Sequence, residues 1–128
     1  MRNAVKIALS AALVLIALPL VALAQQAARP DWVPAVIEIP EPYNVLMNVT
    51  IPGASSIFSV YVSDDPAPLL PVWQAALEKA GYSVDTRMMF DGRLLFKGNG
   101  LRAGQVAALP VQDNGQFVIQ IDAEVNKQ

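Results

Sequence analysis

Apolar and polar residues alternate along three segments of the chain, as they do in strands that bury one face. The three segments are Tyr43–Ile51, Ile57–Val62 and Gln116–Val125. The apolar positions expected to face the core are Tyr43, Val45, Met47, Val49 and Ile51, then Phe58, Val60 and Val62, and finally Phe117, Ile119, Ile121, Ala123 and Val125. The pattern predicts a sheet with one face packed against other elements.

A helical spacing replaces the alternation in residues 63–82, which read SDDPAPLLPVWQAALEKAGY. The apolar stripe consists of Leu69, Trp73, Ala76, Leu77 and Ala80. Ser63 or the two aspartates after it can cap the first turn, and Gly81 suits the left-handed residue that follows a helix. We predict one well-defined helix here, starting at one of the early prolines or at Pro71.

Two further elements are predicted between this helix and the last strand. Residues 82–97 contain two apolar runs separated by Asp91-Gly92, a pair that favours a two-residue type I′ hairpin turn. The glycine-rich residues 98–100 then predict a loop, and Leu101–Leu109 predicts a short helix that ends at a proline.

The resulting order, β-β-α-β-β-α-β, indicates an α+β fold. Its best match is the ferredoxin-like, split βαβ arrangement, an antiparallel sheet with one main helix and one short helix on one face. Because the second helix is short, a generic helix-on-sheet arrangement is the alternative. The order of elements does not by itself indicate a function.

The N-terminus has the features of a signal peptide. Arg2 and Lys6 precede an uncharged apolar run that ends in the small-residue motif at 22–24, so we expect cleavage after Ala24 and a periplasmic or secreted protein of bacterial type. The alternative is a retained single-span anchor, because the run lies at the lower limit for crossing a ~30 Å hydrocarbon core. A lipoprotein is excluded, since there is no cysteine to acylate.

The chain divides into three parts by composition. The signal peptide, residues 1–24, is followed by a proline-rich lead-in at 25–42 and a single α+β domain at 43–128. The lead-in contains Pro30, Pro34, Pro40 and Pro42. These prolines disfavour a helix or a central strand, so we expect an extended segment.

Cysteine and histidine are both absent from the sequence. This excludes disulfides, histidine-based nucleophilic catalysis and the usual zinc and haem ligand sets, so we expect no metal and no cofactor. Loss of Arg2 and Lys6 takes the formal net charge from −2 to −4. No cluster of basic residues is present, which argues against binding to nucleic acid or, after cleavage, to an anionic membrane.

Two short motifs suggest binding chemistry, and both have a simpler interpretation. GNGLRA at 98–103 fits the dinucleotide pattern G-x-G-x-x-G/A, but the predicted helix after it is too short and the chain lacks a second mononucleotide-binding half. Asp64-Asp65 offers too few ligands for calcium and is interpreted as the helix cap.

The candidate functional surface lies on the predicted hairpin. If Val84 and Leu95 face the helices, the other side of the hairpin is an apolar patch with charged neighbours, which suits a partner protein or ligand. This predicted surface comprises Arg87, Met89, Leu94 and Phe96. The alternative is that the lead-in folds over this face and buries it.

These observations favour a small exported, non-catalytic binding or protein-interaction module of the cell envelope, acting on an envelope protein or a small apolar ligand. One alternative is an accessory subunit held at the inner membrane by an uncleaved N-terminal helix. Another is a small glycan-active enzyme that uses Asp85 with Asp91, or Asp122 with Glu124, as its carboxylate pair.

Overall fold

A six-stranded antiparallel sheet forms the framework of residues 29–126, the part of the chain that the computed structural model describes. The elements are β1 (Asn44–Val49), β2 (Ser55–Val62), α1 (Leu70–Lys79), β3 (Ser83–Asp85), β4 (Arg93–Gly98), β5 (Leu101–Leu109) and β6 (Phe117–Val125), with short 3₁₀ turns at Ala67–Leu69 and Met89–Asp91. The strands lie in the order β1-β2-β6-β5-β4-β3, so β1 and β3 are the two edges. The predicted signal peptide lies outside the described residues.

The main helix and two of the predicted strands are confirmed. Helix α1 has Pro71 in its first turn and ends at Lys79, and Gly81, two residues later, has the left-handed φ of 94°. The N–H of Tyr82 bonds to the carbonyl of Leu77 at 3.0 Å, which closes the C-terminal cap. Strands β2 and β6 pair with each other in the centre of the sheet. Their predicted apolar positions share one face, called the covered face below because α1 packs on it; the opposite face is called the outer face.

The predicted second helix is wrong, because Leu101–Leu109 is strand β5. It pairs with β4 on one side and with β6 on the other, and this double ladder outweighs the weak helical signal of a short segment interrupted by Gly104. Asn99 and Gly100, with φ values of 51° and 90°, form the two-residue turn that joins β4 to β5. Within residues 29–126 the order is therefore β-β-α-β-β-β-β, which corrects the ferredoxin-like prediction and leaves an α+β fold with one helix.

The hairpin predicted around Asp91-Gly92 has a different register. Strand β3 is three residues long, and a seven-residue loop at 86–92 connects it to β4. Gly92, at φ 74°, ends a 3₁₀ turn, and its carbonyl accepts a hydrogen bond from the N–H of Ala108 at 2.8 Å. Val84 consequently lies opposite Phe96, in contrast to the predicted pairing across a two-residue turn.

The lead-in is part of the hydrophobic core. Val33, Ile37 and Ile39 are buried with the residues of the covered face and of α1. The indole N–H of Trp73 donates a hydrogen bond to the carbonyl of Glu38 at 2.9 Å, which joins the helix to the lead-in. The extended segment expected at 25–42 therefore contains, from residue 29 onward, two turns that cover the core.

The first strand is present but is not half-buried as predicted. A β-bulge between Val45 and Met47 shifts the register, so that Val45 lies opposite Val60 whereas Met47 lies opposite Ser59. Because paired residues share a face, the bulge puts Met47 on the outer face and Val45 on the covered face. All six residues of β1 are exposed.

Within residues 29–126, no helix is long and apolar enough to cross a membrane.

Replacement of Ile37 by alanine tests whether the lead-in belongs to the cooperative core. Ile37 is fully buried, so Ile37→Ala should lower the free energy of unfolding by about 2–5 kcal/mol in a urea titration. Val111→Ala, at an exposed position, is the control and should change it by less than about 0.5 kcal/mol. Equal effects of the two substitutions would mean that the lead-in folds independently of the core.

Replacement of Gly104 tests the packing between β4 and β5. A Cβ at this position would lie 2.5 Å from the buried ring of Phe96, so Gly104→Ala should cost about 1–3 kcal/mol of stability. The neighbouring Ala103→Ser, at an exposed position, should be near neutral. If the clash with Phe96 causes this loss, the double variant Gly104→Ala with Phe96→Leu should be less destabilised than the sum of the two single variants. Strictly additive losses would contradict a clash between these two residues.

Candidate functional site

The surface predicted on the hairpin is not assembled as expected. Leu94 and Phe96 belong to the core, with exposures of 0% and 3%. They lie opposite Val106 and Gly104 on the covered face, because the long loop before β4 sets a register different from that of a two-residue turn. The prediction that they form an open apolar face is therefore wrong, and the covered face is closed by α1 and the lead-in.

Arg87 and Met89, the other two predicted site residues, lie in the loop between β3 and β4. Met89 is half-buried against the core. Arg87 is exposed and lines a cleft on the outer face, whereas the side chain of Phe96 is buried on the covered face, so the four predicted residues do not form one surface.

Arg87 is held by the carboxylate of Asp85 two residues earlier. Its Nη2 lies 2.6 Å from Oδ2 and its Nε lies 3.0 Å from Oδ1, and the backbone N–H of Arg87 also bonds to Oδ1 at 3.0 Å. These hydrogen bonds lower the pKa of Asp85 from 3.8 to about 2. The same contact raises the pKa of Arg87. The pair therefore fixes the guanidinium at the mouth of the cleft.

The cleft lies on the outer face along β3, β4 and β5 and has a volume of about 600 Å³. Its base includes Leu95, Ala103 and Gly104. Ala103 has a small side chain, and Gly104 presents only backbone to the outer face because a side chain there would point to the covered face. Three basic side chains border the cleft: Arg87, Lys97 and Arg102. The cleft is thus a basic region on a chain with a negative net charge.

A row of polar side chains crosses the outer face beside the cleft. Arg93 donates to the Oε1 of Gln105 at 3.3 Å, and Nε2 of Gln105 donates to Oδ2 of Asp122 at 3.3 Å. Glu124 lies 3.5 Å from Arg102. The outer face therefore carries a row of polar contacts across β4, β5 and β6, unlike the apolar patch predicted for the hairpin.

Strand β1 presents the largest group of exposed apolar side chains among the described residues. Val45, Leu46, Met47 and Val49 are between 41% and 47% exposed, and Ile51 just after the strand is 48% exposed. Within residues 29–126, β1 forms a ladder with β2 alone and has no strand on its other side. An edge of this kind can pair with another chain.

The two edges of the sheet differ in the features that normally prevent such pairing. Strand β3 is short and contains the ion-paired Asp85, both of which protect an edge. Strand β1 is six residues long, and residues 43–63 around it contain no charged side chain. Its bulge lies near its start, and from Met47 to Val49 the pairing with β2 is regular. The β1 edge is therefore the more accessible of the two.

Sequence reasoning missed this edge because no local signal marked it. The alternation in Tyr43–Ile51 is the same whether the strand is central or at an edge, so periodicity predicted burial. The uncharged run at 43–63 favoured burial as well, because edge strands usually carry charged residues.

The two short sequence motifs both lie at connections between secondary-structure elements. Among residues 29–126 no group of acidic residues is arranged to hold a metal ion. Asp65 accepts a hydrogen bond from the N–H of Ala67 at 2.9 Å, in the segment before α1. The prediction that Asp64 or Asp65 caps the helix is wrong, because the N-cap of α1 is Leu69 and the N-cap of the 3₁₀ turn is Pro66, and neither end has a side-chain cap. Gly98 ends strand β4 and Gly100 lies in the turn of a β-hairpin, whereas the dinucleotide motif requires a strand followed by a helix.

Comparison with known proteins gives no family: no family model matches the chain, and neither a curated protein nor a solved structure matches it. The function is therefore argued from the two features of the outer surface, the β1 edge and the cleft.

The ion pair at the cleft predicts how Asp85 titrates. Because the pKa of Asp85 is lowered, the pair is intact above the ordinary value near 3.8 and is lost as the pH falls toward 2. An NMR titration of the carboxyl carbon should give a value of about 2, and Arg87→Gln should return it toward 3.8. An unchanged value in Arg87→Gln would show that the guanidinium does not hold this carboxylate.

Proposed function

We propose that the protein is a small exported, non-catalytic interaction module of the cell envelope, which binds an extended segment of a partner protein along the edge of β1. The observation that carries this proposal is the long, uncharged and apolar edge strand at one end of the sheet. Peptide binding by strand addition uses such an edge: main-chain hydrogen bonds supply affinity and alternate side chains supply specificity.

The register of β1 defines the kind of segment that fits. From the bulge onward, Met47 and Val49 point to the outer face, where Val49 lies opposite the half-buried Ile57. A partner strand next to β1 would place alternate side chains beside these two. Since the region has no charge to compensate a buried ion, the fitting segment is apolar and uncharged at those positions.

The size of the edge indicates a modest interface. Six residues span roughly 20 Å at the usual strand rise, and each added main-chain hydrogen bond contributes about 0.5–1.5 kcal/mol net. An interface of this size is typical of transient or regulated contacts unless side chains outside the strand add to it.

The contacts of the candidate carboxylates support a non-catalytic role. A glycosidase acid needs a raised pKa, whereas the pKa of Asp85 is lowered by Arg87. Asp91 lies 3.4 Å from Arg93, and Asp122 accepts a hydrogen bond from Gln105. These residues have the contacts of a structural polar network on the sheet surface.

Export rests on the sequence of residues 1–24, with its positive start, apolar run and small residues before the expected cleavage point. The membrane-tethered accessory subunit differs from the free module in one measurable property. The intact mass of the protein is measured in each fraction of disrupted cells. A mass that corresponds to a chain starting at Gln25, found in the soluble envelope fraction, supports the free module. A full-length mass in the membrane fraction supports the tethered subunit.

Charged substitutions on the edge test the proposed binding strand. Met47→Lys with Val49→Lys introduces the residue that natural edge strands use to prevent pairing, and both positions are exposed, so the fold should be retained. Val72→Lys, on the exposed side of α1, is the matched control. We expect the edge variant to lose the partner and the control to keep it, with melting temperatures of both close to that of the wild type.

A photo-crosslinking amino acid at position 47, or at position 72 as the control, reports which protein lies next to that position in living cells. The proposal predicts an adduct at position 47 that mass spectrometry maps to an extended apolar segment of one defined protein, and that Val49→Lys abolishes. A second copy of this chain as the crosslinked protein would make the module a homodimer. Adducts of equal yield at both positions, or at neither, would contradict the proposal.

A further inference from the structure

Strand β5 has a β-bulge beside the basic cleft, far from the β1 edge. Along β5, Leu101 pairs with Gly98 of β4 and with Val125 of β6. The next paired residue of β5 is Gly104 on the β4 side and Ala103 on the β6 side. Arg102 is thus an extra residue relative to both neighbouring strands. Bulges of this kind re-aim a side chain and are frequent beside binding sites.

The bulge places two basic side chains across from each other. Between the pairs Phe96–Gly104 and Gly98–Leu101, the single residue Lys97 of β4 faces Arg102 and Ala103 of β5. Like charges at opposing positions of adjacent strands are unfavourable. An anion between the two cations would remove this repulsion and would gain charge-assisted hydrogen bonds from both.

The remaining charges of the cleft leave Lys97 available. Asp85 is engaged by Arg87, and Glu124 contacts Arg102 from the neighbouring strand at 3.5 Å. The ion pairs formed within residues 29–126 do not include Lys97. The cleft therefore has a cation without a carboxylate partner in the described chain, close to a second cation that is only loosely paired.

The base of the cleft can accept an apolar group. Leu95, Ala103 and Gly104 lie next to the basic side chains, and Ser83 and Thr86 add hydroxyl groups at the β3 side. Gly104 cannot carry a side chain because the ring of Phe96 occupies that space on the other face of the strand. A volume of about 600 Å³ is within the range of small-molecule sites.

We propose that this cleft binds a small organic anion, with its carboxylate or phosphate group between Lys97 and Arg102 and its apolar part against Leu95 and Ala103. Arg87, fixed by Asp85, borders the same space and orients the ligand. The site is independent of the β1 edge, which lies at the opposite end of the sheet.

Titration with two aromatic anions tests the site and its preferred head group. Benzoate and phenyl phosphate share the apolar ring and differ in the anionic group, so each is added to the isotope-labelled protein at constant ionic strength while amide chemical shifts are followed. The proposal predicts saturable shifts at Ala103, Gly104 and the backbone of Lys97 for at least one probe. Saturation by benzoate alone indicates a carboxylate ligand, and saturation by phenyl phosphate alone indicates a phosphate ligand.

Charge removal at the cleft supplies the specificity test. Lys97→Gln and Arg102→Gln should each weaken binding about tenfold, whereas Lys79→Gln on the exposed end of α1 should leave it unchanged. Raising the salt from about 0.05 M to about 0.5 M should weaken binding by the wild type more than by either cleft variant.

A stability measurement separates binding from folding. Without a ligand, Lys97→Gln should melt at the wild-type temperature or above it, because the substitution removes repulsion with Arg102. Failure of both probes to saturate, or equal weakening by Lys97→Gln and Lys79→Gln, would overturn the proposed site. Neither result would affect the crosslinking expected at β1.

Discussion

The indole N–H of Trp73 has to find a hydrogen-bond acceptor inside the core, and the carbonyl of Glu38 in the lead-in is that acceptor. Trp73 is the largest fully buried side chain of the described chain. A lone helix is too narrow to cover a six-stranded sheet, so the apolar side chains around Trp73 also need the lead-in. The lead-in and α1 thus close the same face of the sheet, and the apolar side chains of the β1 edge stay exposed.

The parts of the fold that the sequence predicted are those where periodicity and burial agree. Strands β2 and β6 lie at the centre of the sheet, and their alternating residues enter the core as expected. Helix α1 has both its apolar stripe and a glycine at its end. In these elements, local preference and tertiary environment favour the same structure.

The parts that were mispredicted depend on long-range pairing. The sequence of β5 predicts a helix because a short run of leucine, alanine and glycine has no strong strand preference, although Asn99-Gly100 before it is a hairpin signal. Asp91-Gly92 is a similar hairpin signal, but here it ends a 3₁₀ turn, and the carbonyl of Gly92 accepts a hydrogen bond from β5. That difference in register moved Leu94 and Phe96 from the expected surface into the core. The basic cleft was not visible either, since Lys97 and Arg102 meet only through a bulge relative to two neighbouring strands.

The central position of β6 has a consequence for the order of events when the chain is made. Strand β2, from the first half of the domain, pairs along its full length with the last strand of the sequence. The ladder at the middle of the sheet therefore cannot form until the C-terminal residues have emerged, and loop closure of this length slows folding. The two parts of the sheet, β1-β2 and β6-β5-β4-β3, are therefore joined only after β6 has been made.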